Sequence, residues 1–146
     1  MRLAQFIECN LTPILLEWDS FAKTLFAGKR VDLFVLRDHA HEMLLELVFA
    51  MQQTESPQQQ KEKSMGAASP FLPEESAGDV HGMFRHDQGF SFSDMAAEFR
   101  ALRASVLRLW LPTLSVISNQ VVVDIMRFNE AIDEAMADSI ATYEMQ

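Results

Sequence analysis

Apolar residues recur at intervals of three and four along most of this chain, which is the spacing of one face of an α-helix. The two-residue alternation of strands is nearly absent, and no Asn-Gly or Asp-Gly pair marks a hairpin turn. The only β-branched cluster, Val116 to Ile125, lies between helical patterns, and we expect it to be helical. The pattern predicts an all-α fold, a single-domain bundle of about six helices.

The first third of the chain predicts three helices, over residues 2–9, 12–26 and 32–53. Thr12 can cap the second helix, because Pro13 follows it at a position that favours proline, and Gly28 can end it. Asp32 opens the third helix. Apolar residues surround much of that helix, which indicates a position at the centre of the bundle.

Two further helices are predicted in the middle of the chain. Ser56 and Pro57 begin a short glutamine-rich helix that Gly66 ends. After a loop, a second helix runs from Pro73 to Gly89. It carries Gly78 and Gly82 four residues apart.

The clearest periodicity follows a serine cap at Ser91 or Ser93. One stripe of this helix holds Met95, Phe99, Leu102, Val106 and Leu109. Arg103 lies at the edge of the stripe beside Trp110, and Pro112 bends or ends the helix.

The last helix is predicted to run from Val121 to the end of the sequence. One stripe of this helix is expected to form a homodimer seam and to carry a signal. Its residues are Ile125, Asn129, Ile132, Met136 and Tyr143. We therefore divide the chain into a sensory bundle over residues 1–120 and a signalling helix over residues 121–146. Because the pattern continues to the last residue, we expect the helix to lead into an output module.

The composition narrows the possible partners and location. The net charge of -9 disfavours binding to nucleic acid or to an anionic membrane. No apolar run approaches the ~20 residues that cross a bilayer, so no membrane insertion is expected. Cys9 is the only cysteine, and the first residues do not resemble a signal peptide. These features predict a cytoplasmic protein.

The histidines are weak candidates for metal ligands. In "HGMFRHDQGF", His81 and Arg85 share a helix face, but no spacing matches structural zinc. His39 and Glu42 form a single His-x-x-Glu pair, the reverse of the Glu-x-x-His pairs of di-iron bundles. We predict no cofactor; a heme or metal bound through His81 or His39 is the alternative. Motifs of a phosphate-binding loop or a catalytic nucleophile are also absent, which predicts a non-catalytic chain.

A ligand pocket is predicted where large aromatic side chains face Gly78 and Gly82. Its residues would be His81, Arg85, Phe90, Phe99, Arg103 and Trp110. The ligand would be a small amphipathic molecule that carries an acid or carbonyl group. The alternative is a filled core in which Arg103 pairs with Glu98.

Several stretches between Leu36 and Ser139 resemble the N-terminal sensor domain named after the RsbT co-antagonist RsbRD. They are "LRDHAHEML", "SPQQQKEKS", "HGMFRHDQGF", "EFRALRASVLRLW" and "RFNEAIDEAMADS". The resemblance implies an all-helical, globin-like domain without heme that precedes an output module, most often a dimeric histidine kinase. The chain departs from the family pattern in "LPTLSVISNQVVVDI", where a polar acidic linker is expected. We expect this apolar segment to mark a surface or pocket particular to this protein.

The residues and the resemblance together predict a sensory or regulatory input domain of a bacterial signalling protein. Its C-terminal helix would pass a signal to an attached or partner kinase. Two alternatives remain open at this point: a heme- or metal-binding globin-like sensor, and a protein-interaction scaffold without a ligand.

Overall fold

The computed structural model describes residues 1–28, 32–53, 57–65 and 91–145. All regular structure in these ranges is helical, which confirms the all-α prediction. The elements are α1 (Leu3–Cys9), α2 (Leu11–Leu25), α3 (Leu33–Gln52), α4 (Pro57–Ser64), α5 (Phe92–Trp110), a 3₁₀ turn (Leu111–Thr113) and α6 (Asn119–Glu144). The helix predicted between Pro73 and Gly89 lies outside the described residues.

Local capping explains where two of the longest helices begin. Asp32 precedes α3 and its Oδ1 accepts a hydrogen bond of 2.9 Å from the Phe34 N–H. Ser91 precedes α5 in a capping box, since its hydroxyl accepts from the Asp94 N–H while the Asp94 carboxylate accepts from the Ser91 N–H. Both caps satisfy amide groups that have no partner within the helix.

The predicted cap of α2 is wrong. Asn10 precedes α2 and Thr12 lies within its first turn, so the helix begins two residues earlier than the proline suggested. Gly28 follows the end of this helix with φ +82°, a conformation that side chains with a Cβ rarely adopt. Pro112 lies two residues after Trp110, the last residue of α5, and is part of the 3₁₀ turn, which confirms that the helix ends there.

The core forms where α5 packs on α2 and where α3 packs on α1, α2 and α6. Trp18, Phe99, Trp110 and Phe128 are the largest side chains that are almost wholly enclosed. Removing such a side chain from water contributes roughly 1.5–3 kcal/mol, so these four hold the helices together. All four belong to one continuous apolar cluster, which is consistent with one helical domain.

The burial of α3 differs from the prediction. Its buried residues lie mainly along one face, at Leu36, Ala40, Met43, Leu44, Leu47, Val48 and Met51. Phe34 is 78% exposed and Phe49 is 50% exposed. α3 therefore packs on α1, α2 and α6 as a central helix would, but part of its apolar surface is exposed in the described part of the chain.

The buried face of α6 is rotated relative to the predicted stripe. Its buried residues are Val121, Asp124, Phe128, Ile132 and Ser139. Of the predicted seam only Ile132 is fully buried, at 1% exposed, and it packs in the core of its own chain. Ile125 and Met136 pack at the margin of that core, while Asn129 and Tyr143 are half-buried. The packing of this stripe therefore needs no second copy, and the homodimer stays a prediction.

Candidate functional site

The first residues of the chain are tied to the start of α6 by a two-pronged ion pair. The Arg2 guanidinium donates to both carboxylate oxygens of Asp124, with Nε–Oδ2 at 2.9 Å and Nη2–Oδ1 at 2.6 Å. The Leu3 N–H also donates to Asp124 Oδ2, at 3.1 Å. Such charge-assisted, bidentate contacts fix orientation as well as distance. They set the position of α6 relative to α1.

The surroundings of Asp124 keep it ionised. Burial alone would raise its pKa, but the hydrogen bonds from Arg2 and the Leu3 N–H, together with the charges of Arg2 and Arg127, lower the pKa overall. The hydrogen bond to Asp124 also raises the pKa of Arg2, against a smaller desolvation effect. Both partners are therefore charged at neutral pH, and the pair is a salt bridge.

A second polar contact holds α6 one turn further along. Arg127 Nη2 donates to the carbonyl oxygens of Ala50, at 3.2 Å, and Gln53, at 2.5 Å. These carbonyls lie at the C-terminal end of α3, where the helix dipole favours a cation. The Ala50 carbonyl also accepts the Gln53 N–H at 3.4 Å. Arg127 therefore joins α6 to α3 as Asp124 joins it to α1.

The N-terminal residue is also fixed to α5. The Trp110 indole Nε1 donates to the Met1 carbonyl at 3.0 Å, and the Trp110 side chain is fully buried. We use the term N-terminal clamp for these contacts of Met1, Arg2 and Leu3 with Trp110 and Asp124. The clamp connects the end of α5 to the start of α6.

A cleft of about 460 Å³ opens beside the N-terminal clamp. Its walls are the first residues of the chain, the segment from Thr113 to Ser118, and the first turns of α6. Sites for small molecules commonly measure 300–1,000 Å³, so this cleft has a suitable size. It is lined in part by the apolar segment that departs from the RsbRD-type pattern.

Of the residues predicted to form a pocket, the structure describes Phe99, Arg103 and Trp110. His81, Arg85 and Phe90 lie outside the described residues. Phe99 and Trp110 are both core residues, 2% and 0% exposed. They lie eleven positions apart on α5, which separates them by roughly 16 Å along the helix axis. Trp110 lies instead at the cleft beside the clamp.

Arg103 reaches α6 across the surface of the bundle. Its Nη2 lies 2.5 Å from Asp133 Oδ1, and the two side chains are 34% and 57% exposed. The filled-core alternative named Glu98 as the partner, and Glu98 is indeed buried at 1% exposed. The ion pair of Arg103 nevertheless connects α5 to an exposed carboxylate of α6.

The residues that the structure describes give no support for a metal-binding site. Within them no group of three or more histidine, cysteine or acidic side chains is arranged to hold an ion. His39 is half-buried on α3, while His81 lies outside the described ranges. Cys9 is exposed.

Sequence reasoning missed Arg2, Asp124 and Arg127 as the polar residues that hold α6. One signal was present, because Asp124 interrupts the apolar run "VVVDI" and an acidic residue among valines needs a partner when it is buried. Its partner lies 122 positions away, and no local pattern identifies such a pair.

The comparisons leave the family open. Every helix in the described ranges is too short or too polar to span a bilayer. No protein-family model, curated protein or solved structure significantly matches the sequence. The resemblance to the RsbRD-type sensor domain therefore stays a prediction.

Proposed function

We propose that this chain is a non-catalytic sensory or regulatory input domain of a cytoplasmic bacterial signalling protein. In this proposal α6 passes the signal to an output module, which the family resemblance implies is a histidine kinase. The observation that carries it is the polar attachment of α6 through Asp124 and Arg127. One turn of a helix is thereby bound to two other elements of the bundle.

Polar attachment suits a helix that moves between two positions. The core side chains of α6, Phe128 and Ile132, are close-packed, so the helix has discrete positions. A bidentate ion pair is likewise satisfied in only one arrangement. A shift of α6 by one turn, about 5.4 Å, would break both the Arg2–Asp124 pair and the bonds from Arg127. A ligand or partner that favours the open or the closed clamp would then shift the population of the two positions.

The far end of α6 is the natural output. Beyond Ser139 the described residues of α6 contribute no buried side chain. Tyr143 packs against Phe92 with ring centroids 4.7 Å apart, and Met145 is 84% exposed. A movement at Asp124 would be transmitted along a rigid helix of 26 residues to this exposed end.

The proposal is tested by joining the end of α6, in continuous helical register, to the dimerisation helix of a histidine kinase core. Zero to seven residues are inserted at the junction and autophosphorylation is measured. Transmission through a helix predicts activity that rises and falls with a period of about 3.5 residues. Activity that ignores the phase of the insertion would contradict the proposal.

A second candidate function is a protein-interaction scaffold, which one observation favours. Large apolar side chains are exposed near the start of α6: Val116 (69%), Ile117 (68%), Val122 (50%), Val123 (46%) and Met126 (45%). Clustered apolar exposure is typical of interaction surfaces. A scaffold would show no periodic effect in the insertion series, so the same experiment separates the two functions.

A further inference from the structure

We propose that the exposed side of α6 docks an amphipathic helical segment of a partner protein, apolar on one face and rich in lysine or arginine beside it. We use the term outer face for the side of α6 that carries Val122, Val123, Met126, Glu130 and Asp133. For its biological consequence the inference rests on the scaffold function considered above. The binding itself is tested separately.

Apolar side chains cluster in the outer face where α6 begins. Val122, Val123 and Met126 are each about half exposed and lie within two successive turns. Ile117, which is more exposed still, precedes the capping residue Ser118, and a side chain at that position lies beside the fourth residue of the helix, Val122. An exposed apolar cluster of this kind is typical of a surface that another molecule covers.

The exposed apolar residues of α3 are spread more widely. Phe34 lies eleven positions before Leu45, which separates the two by roughly 16 Å along the helix axis. The exposed carboxylates of Asp38 and Glu42 occupy the turns between them. Exposed apolar residues are therefore more concentrated at the start of α6 than along α3.

The outer face becomes acidic one turn further on. Glu130 lies four positions after Met126, and Asp133 lies three positions after Glu130, so the three share one side of the helix. Asp133 is 57% exposed even though Arg103 donates to one of its oxygens. A carboxylate has several acceptor sites, so an incoming cation can share Asp133 with Arg103.

The surroundings of α6 do not neutralise its charge. The parts of the chain that contact α6 include residues 1–9, α3, α4 and α5. Together with α6 they carry nine positive groups, counting the Met1 α-ammonium, against thirteen acidic side chains, a net charge of -4. α6 alone holds six of these acids and a single cation, Arg127. The field at the outer face therefore attracts a basic partner and repels an acidic one.

The size and the charge of the surface favour a short segment over a second copy of this chain. A stable interface between two folded proteins takes about 20–30 residues from each side, whereas a docked helix needs only a few anchors spaced three, four or seven residues apart. Two copies would also each bring a net charge of -9 to the contact. A basic amphipathic helix meets both the apolar cluster and the carboxylates beyond it.

Three peptides of 14 residues test the apolar face and the charge separately. The first consists of leucine and lysine, with leucines repeating at intervals of three and four so that they form one face of a helix. The second has glutamate in place of every lysine. The third has the composition of the first in an order that gives no apolar face. Each is titrated into the ¹⁵N-labelled chain, and analytical ultracentrifugation of the chain alone measures its oligomeric state.

The proposal predicts that the leucine–lysine peptide shifts the amide signals of Ile117, Val123 and Asp133, with a dissociation constant on the order of 100 μM or tighter. The other two peptides should bind at least about tenfold more weakly. Val123→Ser should raise the constant about fivefold, because apolar burial is lost, and Asp133→Asn about two- to fivefold. Phe34→Ser, at the exposed aromatic residue of α3, is the matched control and should have no effect.

Equal binding of the glutamate peptide or of the reordered peptide would overturn the proposal, as would shifts confined to other helices or unchanged binding in Val123→Ser. A dimer whose formation shifts the same amides would assign the outer face to a second copy and would also overturn it. Binding together with a periodic insertion series would refute the scaffold function and leave the docking surface standing. Absence of binding together with an insertion series that shows no period would refute the docking surface alone.

Discussion

The Arg2 guanidinium donates hydrogen bonds of 2.6–3.1 Å to the Asp124 carboxylate, although 122 positions separate the two residues. Asp124 is buried while the Arg2 side chain is 53% exposed. The ion pair therefore reaches from the surface of the bundle, at Arg2, to the buried carboxylate of Asp124. It joins the beginning of the chain to its longest described helix.

Replacing Asp124 by asparagine should lower the free energy of unfolding by about 1.5–3 kcal/mol, the value of a hydrogen bond to a charged group. The amide keeps an acceptor for the Leu3 N–H but loses the charge that Arg2 binds. Urea unfolding measures the change. Asp133→Asn is the matched control, since its pair with Arg103 is exposed and should contribute less than about 1 kcal/mol. Equal losses in the two variants would contradict the account.

The stabilisation from Asp124 should depend on pH in a defined direction. Its pKa in the folded protein lies below the unfolded value of about 3.9. The contribution is therefore complete above that unfolded value and is lost as the pH falls through the folded pKa. Unfolding followed from pH 7 downward should show the wild-type chain and Asp124→Asn converging in acid. A difference that persists unchanged at the lowest pH would contradict this assignment.

Arg103→Ala should change stability little, by less than about 1 kcal/mol. Its partner Asp133 is 57% exposed and remains solvated without the arginine. The substitution also removes Nε, which is buried without a hydrogen-bond partner. Thermal unfolding measures the effect. A loss near 3 kcal/mol would instead indicate that Arg103 balances a buried carboxylate, as the filled-core alternative supposed.

Two apolar residues of α6 should respond very differently to truncation. Ile132→Ala should cost about 2–5 kcal/mol, because Ile132 is 1% exposed in the core. Val122→Ala should cost less than about 0.5 kcal/mol, because Val122 is 50% exposed. Unfolding should be monitored over a range of protein concentrations. If the unfolding midpoint of Ile132→Ala is lower than that of the wild-type chain only in dilute samples, the loss would instead come from the dimer seam predicted from the sequence.

The helix boundaries were largely predictable because they depend on neighbouring residues. Asp32 and Ser91 cap α3 and α5 through bonds to amides two and three positions away, and Pro112 follows the end of α5. Such contacts require no knowledge of the fold. Thr12 failed as a cap because α2 follows α1 after Asn10 alone, and this short connection sets where α2 begins.

The orientation of α6 was not predictable from apolar spacing. Its buried face includes Asp124 and Ser139, so the polar residues broke the apolar period on the side that packs inward. The neighbouring stripe, with Ile125 and Met136, has a more regular apolar period, so apolar spacing favours it. The partners that make a buried Asp124 acceptable, Arg2 and the Leu3 amide, are distant in sequence and become neighbours only in the fold.

The central claim is that the clamp at Asp124 controls the output of α6. It is tested most directly by autophosphorylation of the kinase chimera carrying Asp124→Asn, with Asp133→Asn as control, at a temperature where both are folded. The account predicts a change of about fivefold or more for Asp124→Asn, the range of typical coupling between sites, and none for Asp133→Asn. Unchanged activity in a folded Asp124→Asn chimera would contradict it.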